Sequence, residues 1–315
     1  PRFTLVFHHP AALGRIVLDR SDAALGEAYI CGAFDLEGDI IAAFDLADVV
    51  RNVGLAGWER LRLAAVALML RAARGTPTAS ARSMRTPARL VGPLHSRARD
   101  QAAISYHYDV SNAFYALWLD RRMVYSCAYF PTGTEALDEA QERKLEHICR
   151  KLRLRPGERL LDIGCGWGGL CLYAAERYGV DATGVTLSRR QAELAAQRIA
   201  AAGLARRCRV VLCDYRDLRA GPQFDKIASI GMFEHVGRAE LARYFAQVRD
   251  LLRPGGLFLN HGIASQPGTF PRHGRGGNFI DRYVFPDGEL VPVSETITAM
   301  ETAGFEIRDV ESLRE

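Results

Sequence analysis

The chain has 315 residues, enough for about two domains, and its 48% hydrophobic and 25% charged content is ordinary for a soluble globular protein. Its 7 cysteines, odd in number and without a C-x-x-C pair, argue against a disulfide framework or a structural zinc site and for a reducing cytosol. No apolar run reaches the length of a membrane span, no secretory signal is visible, and the net charge of +4 is modest but unevenly spread.

The chain begins at Pro1 without a methionine and reads as a trimmed fragment. Residues 1–75 form a first, smaller α+β unit. Phe3, Leu5 and Phe7 alternate as in a strand. Gly26-Glu27, Gly32 and Gly38-Asp39 read as punctuation between short strands. Residues 55–73 predict an amphipathic helix with Trp58, Leu61, Ala65, Leu68 and Met69 on one face, expected to pack on a core. From Arg71 to Arg99 there are seven arginines, no acidic residue, and Gly75, Pro77, Pro87, Gly92 and Pro93. This predicts a flexible basic linker over 76–100. It is either a solvated tether or a contact to anionic lipid, each basic residue contributing about 1 kcal/mol near such a surface. No aromatic residues interleave with the arginines, which argues against nucleic acid.

Residues 101–315 form the second domain. Helices are expected over 104–119 and 137–152. A β/α alternation follows, with strands at 159–164, 181–187, 209–215, 225–230, 257–263 and 305–312. Helices fall between them at about 169–178, 189–202, 239–252 and 294–303. This is the pattern of an α/β, doubly wound, Rossmann-like parallel sheet with its ligand at the carboxyl ends of the strands.

The most informative stretch follows the first of these strands: Asp162-Ile163-Gly164-Cys165-Gly166-Trp167-Gly168-Gly169. Glycines there let a backbone approach a ligand closely, and the turn aims N–H groups at it. The Lys-Ser or Lys-Thr of a phosphate-binding loop is absent. An acidic residue before G-x-G-x-G suits S-adenosylmethionine, which carries an ammonium and a sulfonium and no pyrophosphate. At the end of the second strand Thr186 stands where nucleotide-binding sheets usually place Asp or Glu. Gln191 has two readings: a ribose contact, or the far half of a Ser188-x-x-Gln191 capping box. Asp214 and Tyr215, ending the third strand, read either as an adenine contact or as a polar strand end. Glu234 is a carboxylate in apolar surroundings, and His261 ends the neighbouring strand; both are candidates for chemistry. His235 reads as structural. Cys127 has no partner cysteine, and sequence alone places no base beside it.

Together these strings resemble the cyclopropane-fatty-acid synthase family of S-adenosylmethionine-dependent methyltransferases, which includes the mycolic acid cyclopropane synthases. The likeness is carried by His107-Tyr108-Asp109 with Asn112 and Phe114-Tyr115; by Tyr125-Ser126-Cys127-Ala128-Tyr129-Phe130; by Gln141 with Lys144; by the glycine loop; by Met232-Phe233-Glu234-His235-Val236-Gly237; and by Phe285-Pro286-Asp287-Gly288. The resemblance implies a methyltransferase that binds its cofactor through residues matching Tyr125, Ser126, Gly164, Gly166, Thr186, Leu187, Gln191 and Ile230, with adenine near Tyr215 and Arg216; Asp162 and Asp214 complete the expected set. It also implies a bicarbonate ion held by Cys127, Glu234, His261 and the N–H of Ile263. A further tyrosine and a seventh, antiparallel strand would fall beyond Glu315. The implied reaction is methylene transfer to a cis double bond of a phospholipid acyl chain. The cation is closed to a cyclopropane, or quenched to a methyl-branched or methylene product. The first unit resembles the amino-terminal domain of phospholipid-modifying members through Gly26-Glu27-Ala28-Tyr29 and Gly38-Asp39, and is expected to associate with lipid. The expected setting is cytoplasmic, peripheral to an anionic membrane surface, with a homodimer among the expected states. A small-amine N-methyltransferase is the alternative.

Overall fold

The structure, a computed structural model, describes residues 2–19, 21–44, 57–72, 86–218, 224–267 and 278–313. The chain divides into two compact units: Pro1–Ala88 with His273–Val284, and Arg89–Arg272 with Phe285–Glu315. Local pattern suggested a division near the basic linker. It held no sign that residues 273–284 belong to the first unit.

In the first unit, β1 (Phe3–Phe7) and β2 (Phe34–Gly38) form an antiparallel ribbon with Phe7 opposite Phe34. Between them lie α1 (Pro10–Leu18) and α2 (Asp22–Ile30), the latter capped by Ser21, whose Oγ accepts the Ala24 N–H at 3.1 Å. Gly26 and Glu27, expected between strands, lie inside α2. Their role is a distant contact: a Cβ on Gly26 would come within 2.4 Å of the Phe279 ring. Glu27 accepts hydrogen bonds from Arg282 at 3.0 Å and Tyr283 at 2.8 Å. α3 (Gly57–Ala72) forms where periodicity places it, but the face expected to pack on a core is open. Trp58, Leu61, Leu68 and Met69 are 56–74% exposed. α3 meets α1, and Ala67 is the buried residue. Among the described residues the buried apolar ones of this unit are Phe34 and four alanines, Ala12, Ala23, Ala42 and Ala67, so the described elements approach through small side chains.

The second unit opens with α4 (Arg97–Tyr108), α5 (Asn112–Ala116) and α6 (Leu137–Lys151). The α/β alternation is β3 (Arg159–Ile163), α7 (Gly169–Tyr178), β4 (Asp181–Thr186), α8 (Arg189–Ala201), β5 (Cys208–Leu212), β6 (Phe224–Ile230), α9 (Leu241–Leu251), β7 (Leu252–His261) and α10 (Val293–Thr302). All neighbouring strands are parallel, in the order β5-β4-β3-β6-β7. Leu160 joins the apolar cluster of α6 and α7, whereas Leu161 and Ile163 join that of α9, as the period of two requires. A parallel sheet is buried on both faces, so β3 reads as a nearly continuous apolar run. The chain runs outward from β3 to β5, then returns to β6 on the other side of β3. That reversal opens a crevice beyond the carboxyl ends of β3 and β6.

Residues 305–312 form no strand. Alternation specifies extended backbone but not a ladder partner. Here the side chains do the anchoring: Phe305 packs on Phe258, while Glu311 reaches Lys151 at 2.6 Å and His147 at 2.8 Å. The basic linker is likewise only partly a tether. α4 begins at Arg97, which pairs with Asp217, and Arg99 is bidentate to Asp287 at 2.6 and 2.9 Å. Residues 73–85, with three of the seven arginines, lie outside the described residues.

Candidate active site

The glycine loop has the backbone its sequence demands. Gly164, Gly166 and Gly168 all have positive φ, at 78°, 54° and 77°, where a side chain is strained. The N–H groups of Gly164 and Cys165 both reach Val185 O, at 2.9 and 3.0 Å, tying the loop to β4. A Cβ on Gly166 would meet nothing within 4 Å; one on Gly164 would strike Met232 at 2.7 Å. Gly168 precedes α7 as its cap, with no side chain on the first-turn N–H groups.

Beside the loop lies a crevice of about 1070 Å³ of atom-free space, its open mouth included. Of the predicted cofactor residues, Tyr125, Ser126, Asp162, Gly164, Gly166, Thr186, Leu187, Gln191, Tyr215, Arg216 and Ile230 line it. Asp214 does not: its carboxylate caps the turn Tyr215–Asp217 and is bidentate to Arg216 at 2.6–3.1 Å. That pairing consumes the acceptors an adenine amino group would need. Ser188 caps α8 by accepting the Gln191 N–H at 3.2 Å, but the reciprocal half of the capping box is not made. Gln191 Oε1 instead accepts the Thr186 hydroxyl at 2.6 Å. Asp162 is buried, its Oδ1 has no partner, and burial pushes its carboxyl up to about 7.

Glu234 lies just past the end of β6, and His261 is the last residue of the adjacent β7. Residues Phe233–His235 form a 3-10 turn. Successive side chains are therefore about 120° apart. Glu234 turns toward β7, where its Oε1 accepts the Ile263 N–H at 2.7 Å. That N–H, expected to hold an anion, is thus already donated. Glu234 Oε2 and His261 Nδ1 are buried with no partner. Burial raises the Glu234 carboxyl and holds the His261 imidazole down at about 4. Cys127 is exposed. His235, read as structural, lines the crevice instead, with the Tyr108 hydroxyl 3.5 Å from its Nε2.

Several supporting residues entered the sequence reading only as part of the family likeness, with no role assigned to them. Lys144 is fully buried and donates to Ser126 Oγ at 2.6 Å. One turn earlier on α6, Gln141 donates to Val124 O and Ser126 O at 3.1 and 2.9 Å. The i, i+3 spacing puts both on one face, but only the fold shows what they hold. Asn112 accepts from Trp167 Nε1 at 2.8 Å and Asp109 from Ser188 Oγ at 2.6 Å, pinning the α4–α5 segment to the glycine loop and to the start of α8. Tyr108, Tyr115, Tyr125 and Trp167 pack as a wall of rings with centroids 4.9–6.4 Å apart.

A doubly wound parallel sheet, an acidic residue before a loop of left-handed glycines, and a crevice with no phosphate-binding lysine at its loop define a class I methyltransferase fold. The comparisons give the family. Residues 95–315 match the sequence family described as mycolic acid cyclopropane synthetase. A probable fatty acid methyltransferase of Pseudomonas putida is 43% identical over 315 residues, all of this chain and 73% of its own length. The cyclopropane-fatty-acyl-phospholipid synthase of Escherichia coli K12 is 42% identical over 208 residues, 66% of this chain and 52% of its own length. The chain therefore spans about half of that relative. The mycolic acid cyclopropane synthase CmaA1 complexed with SAH and CTAB superposes with a TM-score of 0.62 at 35% identity, covering 68% of this chain and 77% of that one. The chain belongs to the mycolic acid cyclopropane synthetase family of S-adenosylmethionine-dependent methyltransferases.

Proposed function

We propose that this chain catalyses methylene transfer from S-adenosylmethionine to a cis double bond of a phospholipid acyl chain, giving a cyclopropane fatty acid. The observation that carries this reading is the pair of buried, unpartnered polar atoms, Glu234 Oε2 just past the end of β6 and His261 Nδ1 on the last residue of β7. A buried polar group without a partner is costly unless a ligand completes it.

When bound, the cofactor supplies an electrophilic methyl group on a sulfonium. Thr186 and Gln191 would hold its ribose side, Tyr215 and Arg216 its adenine side, and Gly164 and Gly166 leave its path clear. Bicarbonate, when bound, supplies a base for a proton of the transferred methyl group. Glu234 and His261 are its proposed holders. Burial raises the Glu234 carboxyl, which favours its protonated form beside an anion, and the depressed imidazole of His261 stays neutral and avoids a second charge. The N–H of Ile263 fixes Glu234 for that task. Cys127 is the remaining proposed contact. The ring wall of Tyr108, Tyr125 and Trp167 excludes water from a carbocation on the substrate.

We further propose that the first unit docks on the anionic inner face of a membrane. The exposed apolar face of α3 and the basic linker favour that setting. Among the described residues no helix is long and apolar enough to cross a membrane.

A second product is supported by one observation. The Pseudomonas putida relative, matched over this whole chain, is described as a fatty acid methyltransferase. Ring closure and methyl branching differ in how the cation is quenched. Mass spectrometry of membrane fatty acids from an expressing host separates them. A cyclopropane product confirms the first reading, a methyl branch the second, and unchanged acyl chains overturn both.

A further inference from the structure

Among the described residues two cationic side chains line the crevice, Lys144 and Arg216. His235, also there, is held neutral by burial, its pKa pushed down to about 4. Arg216 is fully engaged. It is bidentate to Asp214, lies 3.0 Å from Asp100, and donates to His95 O at 3.1 Å. Lys144 is different. It is completely buried, yet its described bonding is a single hydrogen bond to Ser126 Oγ at 2.6 Å, with no carboxylate in ion-pair contact. An ammonium has three protons to donate, and a buried one without an anion is costly. It faces Asp120 from the segment after α5, Cys127 beside Ser126, Asp162 from β3 and His261 from β7. Of these, Asp162 is itself pushed toward neutrality by burial.

Ser126 is held from two sides. Gln141 fixes its carbonyl, and Lys144 donates to its hydroxyl oxygen. A hydroxyl that accepts from an ammonium keeps its own O–H to donate elsewhere, and Ser126 lines the crevice. The hydroxyl is therefore a donor aimed by a buried positive charge. The cofactor has one anionic group to match a donor beside a positive charge, the carboxylate of its amino-acid end.

We propose that Lys144 is a positioning residue that acts through Ser126 to select the carboxylate of S-adenosylmethionine, drawing the amino-acid end of the cofactor to the α6 side of the crevice and leaving the adenosine end to Tyr215. The proposal rests on the methyltransferase reading above. It orients the cofactor along the crevice and gives the buried lysine a ligand-dependent partner.

The charge balance gives a direct test. Burial lowers the Lys144 pKa to about 8, and a carboxylate nearby favours the ammonium and raises it again. Binding then takes up a proton above pH 8, and affinity falls as pH rises through that value. Calorimetric titration of the full chain uses two ligands, S-adenosylhomocysteine and its decarboxylated analogue. Decarboxylation raises the pKa of the ligand's own amino group, so each profile is corrected with the amine titration of the free ligand, and the remaining difference isolates the carboxylate. Between pH 7 and pH 9 the intact ligand is expected to lose roughly tenfold more affinity than the analogue. Lys144→Met is expected to weaken the intact ligand roughly tenfold at pH 7 and to leave the analogue within about twofold. Matching pH profiles for the two ligands on the wild type would overturn the proposal without any variant. So would equal weakening of both ligands by Lys144→Met, which marks a structural role alone. If the wild type binds neither ligand, the methyltransferase reading fails as well.

Discussion

Gly164 and Gly166 differ by two residues and should fail in different ways. Both have positive φ, at 78° and 54°, so alanine at either costs about 1 kcal/mol in backbone strain. At Gly166 the new Cβ meets nothing within 4 Å and points into open crevice, so strain is the whole structural penalty. At Gly164 the Cβ would lie 2.7 Å from Met232 Cγ, adding overpacking of about 1–3 kcal/mol. One kcal/mol shifts the melting temperature of a unit this size by about 2–4 °C. Gly166→Ala should therefore melt only about 2–4 °C below wild type, and Gly164→Ala about 4–16 °C below. Cofactor binding should show the reverse emphasis. A side chain at 166 occupies space the ligand needs, and Gly166→Val should abolish S-adenosylhomocysteine binding while the protein stays folded. Scanning fluorimetry without ligand and calorimetry with it separate the two effects. Unchanged ligand affinity in folded Gly166→Val would refute the assignment of this loop to the cofactor.

Glu234→Gln keeps the side-chain shape but changes its proton inventory. Most turnover on unsaturated lipid should be lost, with S-adenosylhomocysteine affinity little changed, because the loss falls on the transition state. Full activity of that variant in bicarbonate-free buffer would show that Glu234 does not hold the base. Binding to anionic vesicles should weaken as salt rises, and Trp58→Ser with Met69→Ser should weaken it further; equal binding to neutral and anionic vesicles would leave the linker a tether. Burial holds the folded-state pKa of His235 and His261 at about 4, below the ordinary 6.5, so both fold as neutral rings. Their contribution to stability is present above pH 6.5 and is lost as pH falls toward 4. His235→Gln and His261→Gln should each flatten that part of a urea-unfolding pH profile, and parallel profiles for variants and wild type would count against the burial argument.

The sequence by itself determined whatever is local in its physics. The period of two in β3 and the left-handed demand at Gly164, Gly166 and Gly168 depend on neighbours along the chain. So did the cap at Ser188, and the sheet with its crevice followed from them. The tertiary structure alone decided contacts between distant residues. Gly26 serves Phe279, and Arg97 and Arg99 are taken by Asp217 and Asp287; no window of sequence contains both partners. The apolar stripe of α3 was visible, but which face meets α1 depended on how closely alanines let the helices approach. The acceptors of Asp214 went to Arg216, and the Ile263 N–H to Glu234, because hydrogen-bond partners are allotted by distance in space. Lys144 is the sharpest case. The family likeness marked Lys144 without giving it a role, and only the packing of α6 against the 124–126 segment buries it and aims it at Ser126.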